Sequence, residues 1–247
     1  MNALALMASG CDKKERNRLY NMKNYRLYFI RHGITQGNLE GKYVGSTDLP
    51  LCEQGRKELL DLKEKAEYPR VQVVYASPLQ RCLQTAEILY PDTLLIPSPN
   101  LREYDFGNFE NHSMEELKKN EAFVRWLEGA MVKAPEGGED KQAFDERISI
   151  GLGEIIKDMM NRSVTDAAVI THGGVIMGLL SMYGLPKRNP LAWTVDNGHG
   201  YTAVTSSYLW GQGQLLEVMD PIPYREEDSE YPRDYDLIDI PEQEDEE

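Results

Sequence analysis

Two stretches of the chain end an apolar run in a histidine and a glycine: FIRHGITQGN at residues 29–38 and VITHGGVIMG at residues 169–178. Only four histidines are present, yet His32 and His172 share this setting. Taken singly, a histidine at a strand end is more often a satisfied polar side chain than a reagent. The repetition reverses that balance, because Arg31 precedes the first histidine and Arg81 opens a helix after a further strand. Arginine offers a planar fork of donors that matches phosphate or carboxylate oxygens, and helix N-termini also favour anions. The implied ligand is an anion. A histidine among such cations is held neutral at pH 7, which leaves a lone pair on a ring nitrogen and makes it a nucleophile.

The elements that must position these groups alternate. YRLYFI (25–30) has the aromatic and branched residues of a strand, EQGRKELLDLKEKAEY reads as an amphipathic helix, and VQVVYA (71–76) as a second strand. SPLQRCLQTAEIL then predicts a helix with Ser77 as N-cap, Pro78 at the first helical position and Gln80 completing a capping box. TLLIP (93–97) is a third short strand, residues 114–130 carry a helical pattern, and APEGGED is a loop. KQAFDERISIGLGEIIKDMM predicts a long helix, DAAVIT a strand, and VIMGLLSMYG the helix after His172. Strands alternating with helices predict an α/β fold with a mostly parallel sheet covered on both faces. Ligands of such sheets sit outside the carboxyl ends of the strands, where His32 and His172 both fall.

Composition sets the remaining bounds. The chain has 247 residues, 41% hydrophobic and 28% charged, with no apolar run near the roughly 18 residues of a membrane span. Of its net charge of −14, the stretch from Asp220 to the C-terminus carries 13 acidic residues and two arginines, so the rest is nearly neutral. Residues 220–247 therefore read as an acidic, disordered tail and 22–219 as one domain. An acidic chain is a poor partner for nucleic acid, and no membrane association is expected. Three cysteines without a C-x-x-C pair indicate neither a disulfide framework nor a zinc knuckle, and a reducing, cytoplasmic setting fits best. MNALALMASGC resembles a lipoprotein cleavage site ahead of Cys11, which would anchor the chain to a lipid. No Lys or Arg precedes the short apolar stretch, however, and a start at Met22 is the simpler reading of residues 1–21. A homodimer stays open.

RHGITQGN, GSTDLPLCEQGRKEL, SPLQRCLQTAEIL, LREYDFGNFEN and VITHGGVIMGLL follow one another in an order that resembles the histidine phosphatase superfamily, the phosphoglycerate-mutase-like enzymes, over roughly residues 24–210. The resemblance implies a three-layer αβα sandwich with a cap at about residues 104–140. It implies that His32 is the residue phosphorylated and that Arg31, Arg81 and His172 hold the phosphoryl oxygens, with a further hydrogen bond from Asn38. Thr47 and Gly173 would complete the substrate-binding set. Glu103 matches the family's acid, protonating the leaving oxygen and then activating water. General chemistry agrees, since phosphoryl transfer needs in-line positioning, neutralised equatorial oxygens and a proton donor on the leaving group. No metal or other cofactor is required where cationic side chains do the neutralising.

Competing chemistries leave little trace. GNLEGKY is one residue too short for a P-loop and lacks the Ser/Thr after lysine, no C-x5-R phosphate loop occurs, and H-E-x-x-H is absent. DYDLI mimics an aspartate-nucleophile motif but lies in the acidic tail. His112 and His199 read as loop or surface residues, and Cys82 as packing. Within the family, mutases carry a basic, tyrosine-containing segment after the glutamate and an asparagine after the second His-Gly. This chain has Tyr104-Asp105-Phe106-Gly107 and Gly174 instead. EYDFGNFEN looks like the phosphatases that include α-ribazole phosphatases and broad-specificity phosphomonoesterases, although Phe109 and Asn111 depart from their usual FG-x-W-E-G. The expected activity is therefore metal-independent hydrolysis of a small phosphorylated metabolite. A 2,3-bisphosphoglycerate-dependent mutase and an inert phospho-ligand binder are the alternatives.

Overall fold

β1 (Asn24–Arg31) is buried on both sides, which is why its apolar residues run continuously instead of alternating with polar ones. Tyr25, Leu27 and Phe29 face one hydrophobic cluster and Tyr28 and Ile30 the other, so β1 lies at the middle of a three-layer sandwich. The computed structural model describes residues 23–129 and 133–224. Its other strands are β2 (Val73–Ala76), β3 (Leu95–Pro97), β4 (Asp166–Thr171), β5 (Gly184–Leu185), β6 (Gly200–Ser206) and β7 (Leu216–Ile222), in the order β3-β2-β4-β1-β6-β7-β5. Its helices are α1 (Gln36–Leu39), α2 (Glu53–Lys65), α3 (Gln80–Leu89), α4 (Met114–Leu117), α5 (Glu121–Glu128), α6 (Lys141–Arg162), α7 (Gly173–Tyr183) and α8 (Ser207–Gly213). Residues of α6 and α7 fill one cluster and residues of α2 and α3 the other.

The sheet is mostly parallel, as expected: β1–β4, β2–β4, β2–β3 and β5–β7 run parallel. The β1–β4 register pairs Arg31 with Thr171. The next residues, His32 and His172, therefore leave the sheet side by side.

Several local expectations are corrected. β2 and β3 each begin two residues late, and the pattern over 114–130 divides into α4 and α5, the second capped by Asn120 through the amides of Ala122 and Phe123. α3 begins at Gln80, not Pro78, and its N-cap Leu79 makes no side-chain cap bond. Asp48 takes that role from another loop, accepting from the Gln80 amide at 2.7 Å, while Ser77 turns its hydroxyl to His172. β6 and β7 add an antiparallel flank. β7 carries the fold past the expected boundary at 219: Ile222 is buried, and Tyr224 pairs with Glu67 and shares a hydrogen bond with Thr202.

The expectations for Cys11, Met22 and the tail beyond Tyr224 lie outside the described residues. Among the described residues no helix is long and apolar enough to cross a membrane.

Candidate active site

His32 is buried where β1 ends, and its amide continues the ladder by donating to the Thr171 carbonyl. Its Nδ1 lies 2.7 Å from the Gly33 carbonyl oxygen. A carbonyl only accepts, so Nδ1 carries the proton and Nε2 keeps the lone pair. Asn197 Nδ2 donates to the His32 carbonyl (2.8 Å) and to that of Gly33 (3.3 Å), pinning the turn. Burial holds the imidazole well below its ordinary pKa, and the Arg81 and Arg31 guanidinium groups push the same way against the Gly33 bond. The ring is neutral at pH 7.

His172 is the N-cap residue of α7, with its ring centroid 5.2 Å from that of His32. Arg81 Nε donates to His172 Nδ1 at 3.3 Å, so His172 Nε2 bears the proton and donates to Ser77 Oγ at 2.8 Å. Burial and then the Arg81 charge hold this ring well below its ordinary pKa too. Cys82 packs beside it, and burial pushes its thiol up to about 12, which fits the expected packing role.

Arg81 is completely buried, and Nη1 and Nη2 each donate to a carbonyl, those of Thr47 (2.8 Å) and Gly45 (2.7 Å), which leaves two of its five N–H groups over. Arg31 donates Nη1 to the Val195 carbonyl at 2.8 Å, whereas its buried Nε has no hydrogen-bond partner. Glu103 and Asp196 oppose the lowering that burial imposes on the Arg31 pKa. An orphaned guanidinium N–H beside Gly173 is a donor suited to an anion.

Glu103 accepts from the Tyr104 amide through Oε1 and from the Gly174 amide through Oε2, both at 3.0 Å, the second at the N-terminus of α7. Burial raises its pKa above the ordinary value, against these two amides and both arginines. Arg147 holds the segment around it through the carbonyls of Asn100, Arg102 and Glu103 and an ion pair with Glu139. A Cβ at Gly174 would lie 2.4 Å from Glu103 Oε1. Gly174→Ala is accordingly expected to displace the carboxylate and lower kcat/KM by roughly 10- to 100-fold with little change in melting temperature. Wild-type kinetics in that variant would show that the carboxylate position is not critical.

Of the remaining candidates, Asn38 and Thr47 are both half-buried. Thr47 Oγ1 donates to Glu110 at 2.6 Å. Asn38 Oδ1 closes the cap of α1 on the Thr35 amide and hydroxyl, so Nδ2 is the donor left over for a ligand. His112 is exposed, and His199 is a loop residue whose carbonyl accepts from the Arg31 amide. Sequence reasoning missed Ser77, Asn197, Arg147 and Glu110. Ser77, in the SPLQRCLQTAEIL block, and Glu110, in the EYDFGNFEN block, stood in stretches that invited attention, whereas Asn197 and Arg147 did not.

The fold and the site together define an α/β protein with two buried, neutral imidazoles beside two arginines and a buried carboxyl group at the ends of parallel strands. The sequence pattern of the histidine phosphatase superfamily (branch 1) matches residues 27–215, and the chain belongs to that family. It is a phosphoric monoester hydrolase. A curated adenosylcobalamin/alpha-ribazole phosphatase of Escherichia coli is 28% identical over 178 residues, covering 70% of this chain and 86% of that protein. A 2,3-bisphosphoglycerate-dependent phosphoglycerate mutase of Corynebacterium kroppenstedtii is 32% identical over 58% of this chain and 64% of its own length. The crystal structure of the alpha-ribazole phosphatase from Shigella flexneri is similar with a TM-score of 0.62 and 26% identity, covering 72% of this chain and 89% of that one.

Proposed function

We propose that the enzyme hydrolyses a small phosphorylated metabolite, of the α-ribazole phosphate kind or a broader set, through a phosphohistidine at His32 and without a metal. The observation that carries this reading is the 2.7 Å bond from Nδ1 to Gly33, which leaves Nε2 of a neutral ring unprotonated beside two arginines. In the first step Nε2 forms a bond to phosphorus while the ester P–O bond breaks, and the leaving oxygen takes the Glu103 proton. In the second, Glu103 as carboxylate takes a proton from water, the water oxygen bonds to phosphorus, and the N–P bond breaks to release phosphate and restore His32. Arg31 and Arg81 neutralise the equatorial oxygens throughout, with His172 beside them.

Among the described residues no group of three or more His, Cys, Asp or Glu side chains could hold a metal ion. The metal-free reading rests on the arginines. Asp105, two residues after Glu103, supports hydrolysis over mutation of phosphoglycerate, because its carboxylate repels an acid substrate, and Gly174 stands where the mutases carry asparagine. Phosphate release from a panel of metabolite phosphomonoesters, α-ribazole phosphate included, is expected to proceed undiminished in EDTA. Activity lost to chelator and restored by magnesium or zinc would overturn the metal-free reading. Isomerisation of phosphoglycerate faster than any hydrolysis would establish the mutase, and binding without turnover the inert relative.

A further inference from the structure

We propose that Glu110 is a positioning residue that aims the Arg81 guanidinium at the phosphoryl group by ordering residues 45–48. This rests on the phosphoryl-holding role given to Arg81 above. The Glu110 carboxylate is surrounded by donors: the Gly45 amide at 3.0 Å from both oxygens, Ser46 N at 3.0 Å, Thr47 N at 3.2 Å, Thr47 Oγ1 at 2.6 Å and Phe106 N at 3.1 Å. A carboxylate is acceptor-only, so it alone among side chains of this length satisfies such a ring from both of its oxygens.

The consequence follows from peptide planarity. The Ser46 N–H and the Gly45 C=O belong to one trans peptide and point in opposite directions. With the N–H on Glu110, the carbonyl is turned outward, where it accepts from Arg81 Nη2 at 2.7 Å. Thr47, held by its amide and hydroxyl, presents its own carbonyl to Arg81 Nη1 at 2.8 Å. Asp48 then seats the loop on the first turn of α3 through the Gln80 amide. Close approach is needed as well, since a Cβ at Gly45 would lie 1.8 Å from the Tyr104 carbonyl oxygen. With two corners of its fork set in this way, the buried Arg81 has its plane determined before substrate arrives. The bond to Phe106 N ties this loop to the segment that follows Glu103, so the groups that hold the anion and protonate the leaving oxygen share one anchor.

A double-mutant cycle on p-nitrophenyl phosphate, with competitive inhibition by inorganic phosphate as a second readout, tests this. Glu110→Gln turns an amide N–H₂ against the ring of donors and is expected to lower kcat/KM and weaken phosphate inhibition by roughly 10- to 100-fold. In an Arg81→Ala background the same change is expected to cost less than about twofold, because the group it positions is gone. In an Arg31→Ala background its full effect should persist. Thr47→Val, which removes one donor from Glu110, provides the same cycle at roughly threefold should Glu110→Gln fail to fold. An undiminished effect of either change in the Arg81→Ala background overturns the positioning role. Wild-type kinetics and phosphate inhibition in Arg81→Ala alone would instead remove the role of Arg81, and the proposal with it.

Discussion

His32→Ala is expected to abolish turnover, to below about a hundredth of the wild-type rate, since even a general catalyst contributes about 10²-fold or more and a covalent nucleophile more still. The structure removes the obvious substitute. Both ring nitrogens of His172 are committed, Nδ1 to Arg81 and Nε2 to Ser77, so its lone pair is already taken by a guanidinium donor. Neither can Cys82 step in, because its buried thiol stays protonated at neutral pH. Steady-state assays with p-nitrophenyl phosphate, together with acid-labile, alkali-stable label trapped on wild-type enzyme, check the assignment. Labelled protein from the alanine variant, or activity above one part in a hundred, would mean that another residue carries the phosphoryl group.

The second large effect concerns Glu103 and separates a role from a mere requirement. If Glu103 protonates the departing oxygen, Glu103→Gln slows release of an aliphatic alcohol strongly, while p-nitrophenolate, stable without a proton, leaves with a smaller penalty. Because the same carboxylate then activates water, p-nitrophenol should appear in a burst followed by slow turnover, with phosphate held on His32. The pH dependence follows from the directions of the two shifts. Glu103 is raised above the ordinary carboxyl value, so its acid form persists upward in pH, and kcat/KM falls as pH rises through its folded pKa. His32 is lowered, so its neutral form persists downward, and activity falls only once pH drops through that depressed value. Glu103→Gln should remove the alkaline limb for an alkyl phosphate and keep the acid limb. Equal losses for both leaving groups in single turnovers, with no burst, would assign Glu103 to binding or folding. Asp105 and Glu139 are the alternative acids to test first. The Asp105 carboxylate accepts from the Gly107 amide, and Glu139 is paired with Arg147. Taking over would cost each of them those bonds.

Much of the site was legible because strand, histidine and glycine adjoin one another in the chain. The placing of His32 and His172 at strand ends, the choice of Arg31 and Arg81 as partners for an anion and the parallel core all rest on local periodicity and residue chemistry. The same locality misled at Ser77. S-P-L-Q has the sequence pattern of a capping box, but a hydroxyl at the end of β2 stands next to β4 and binds the His172 ring there, 95 positions away.

The amino-acid sequence by itself determined the candidate groups: an imidazole, two guanidinium groups and a carboxyl group, the imidazole and the arginines each at the end or beginning of an element whose pattern is written in its own residues. Tertiary structure decided how they are arranged and protonated. The β1–β4 register brought the histidines together, and the Gly33 carbonyl chose the nitrogen of His32 that holds the lone pair. The amide of Gly174 and burial set the proton affinity of Glu103, and Glu110 turned the 45–48 loop toward Arg81. These outcomes depend on hydrogen-bond partners and desolvation supplied by segments distant in the chain, and such partners leave no period in the sequence.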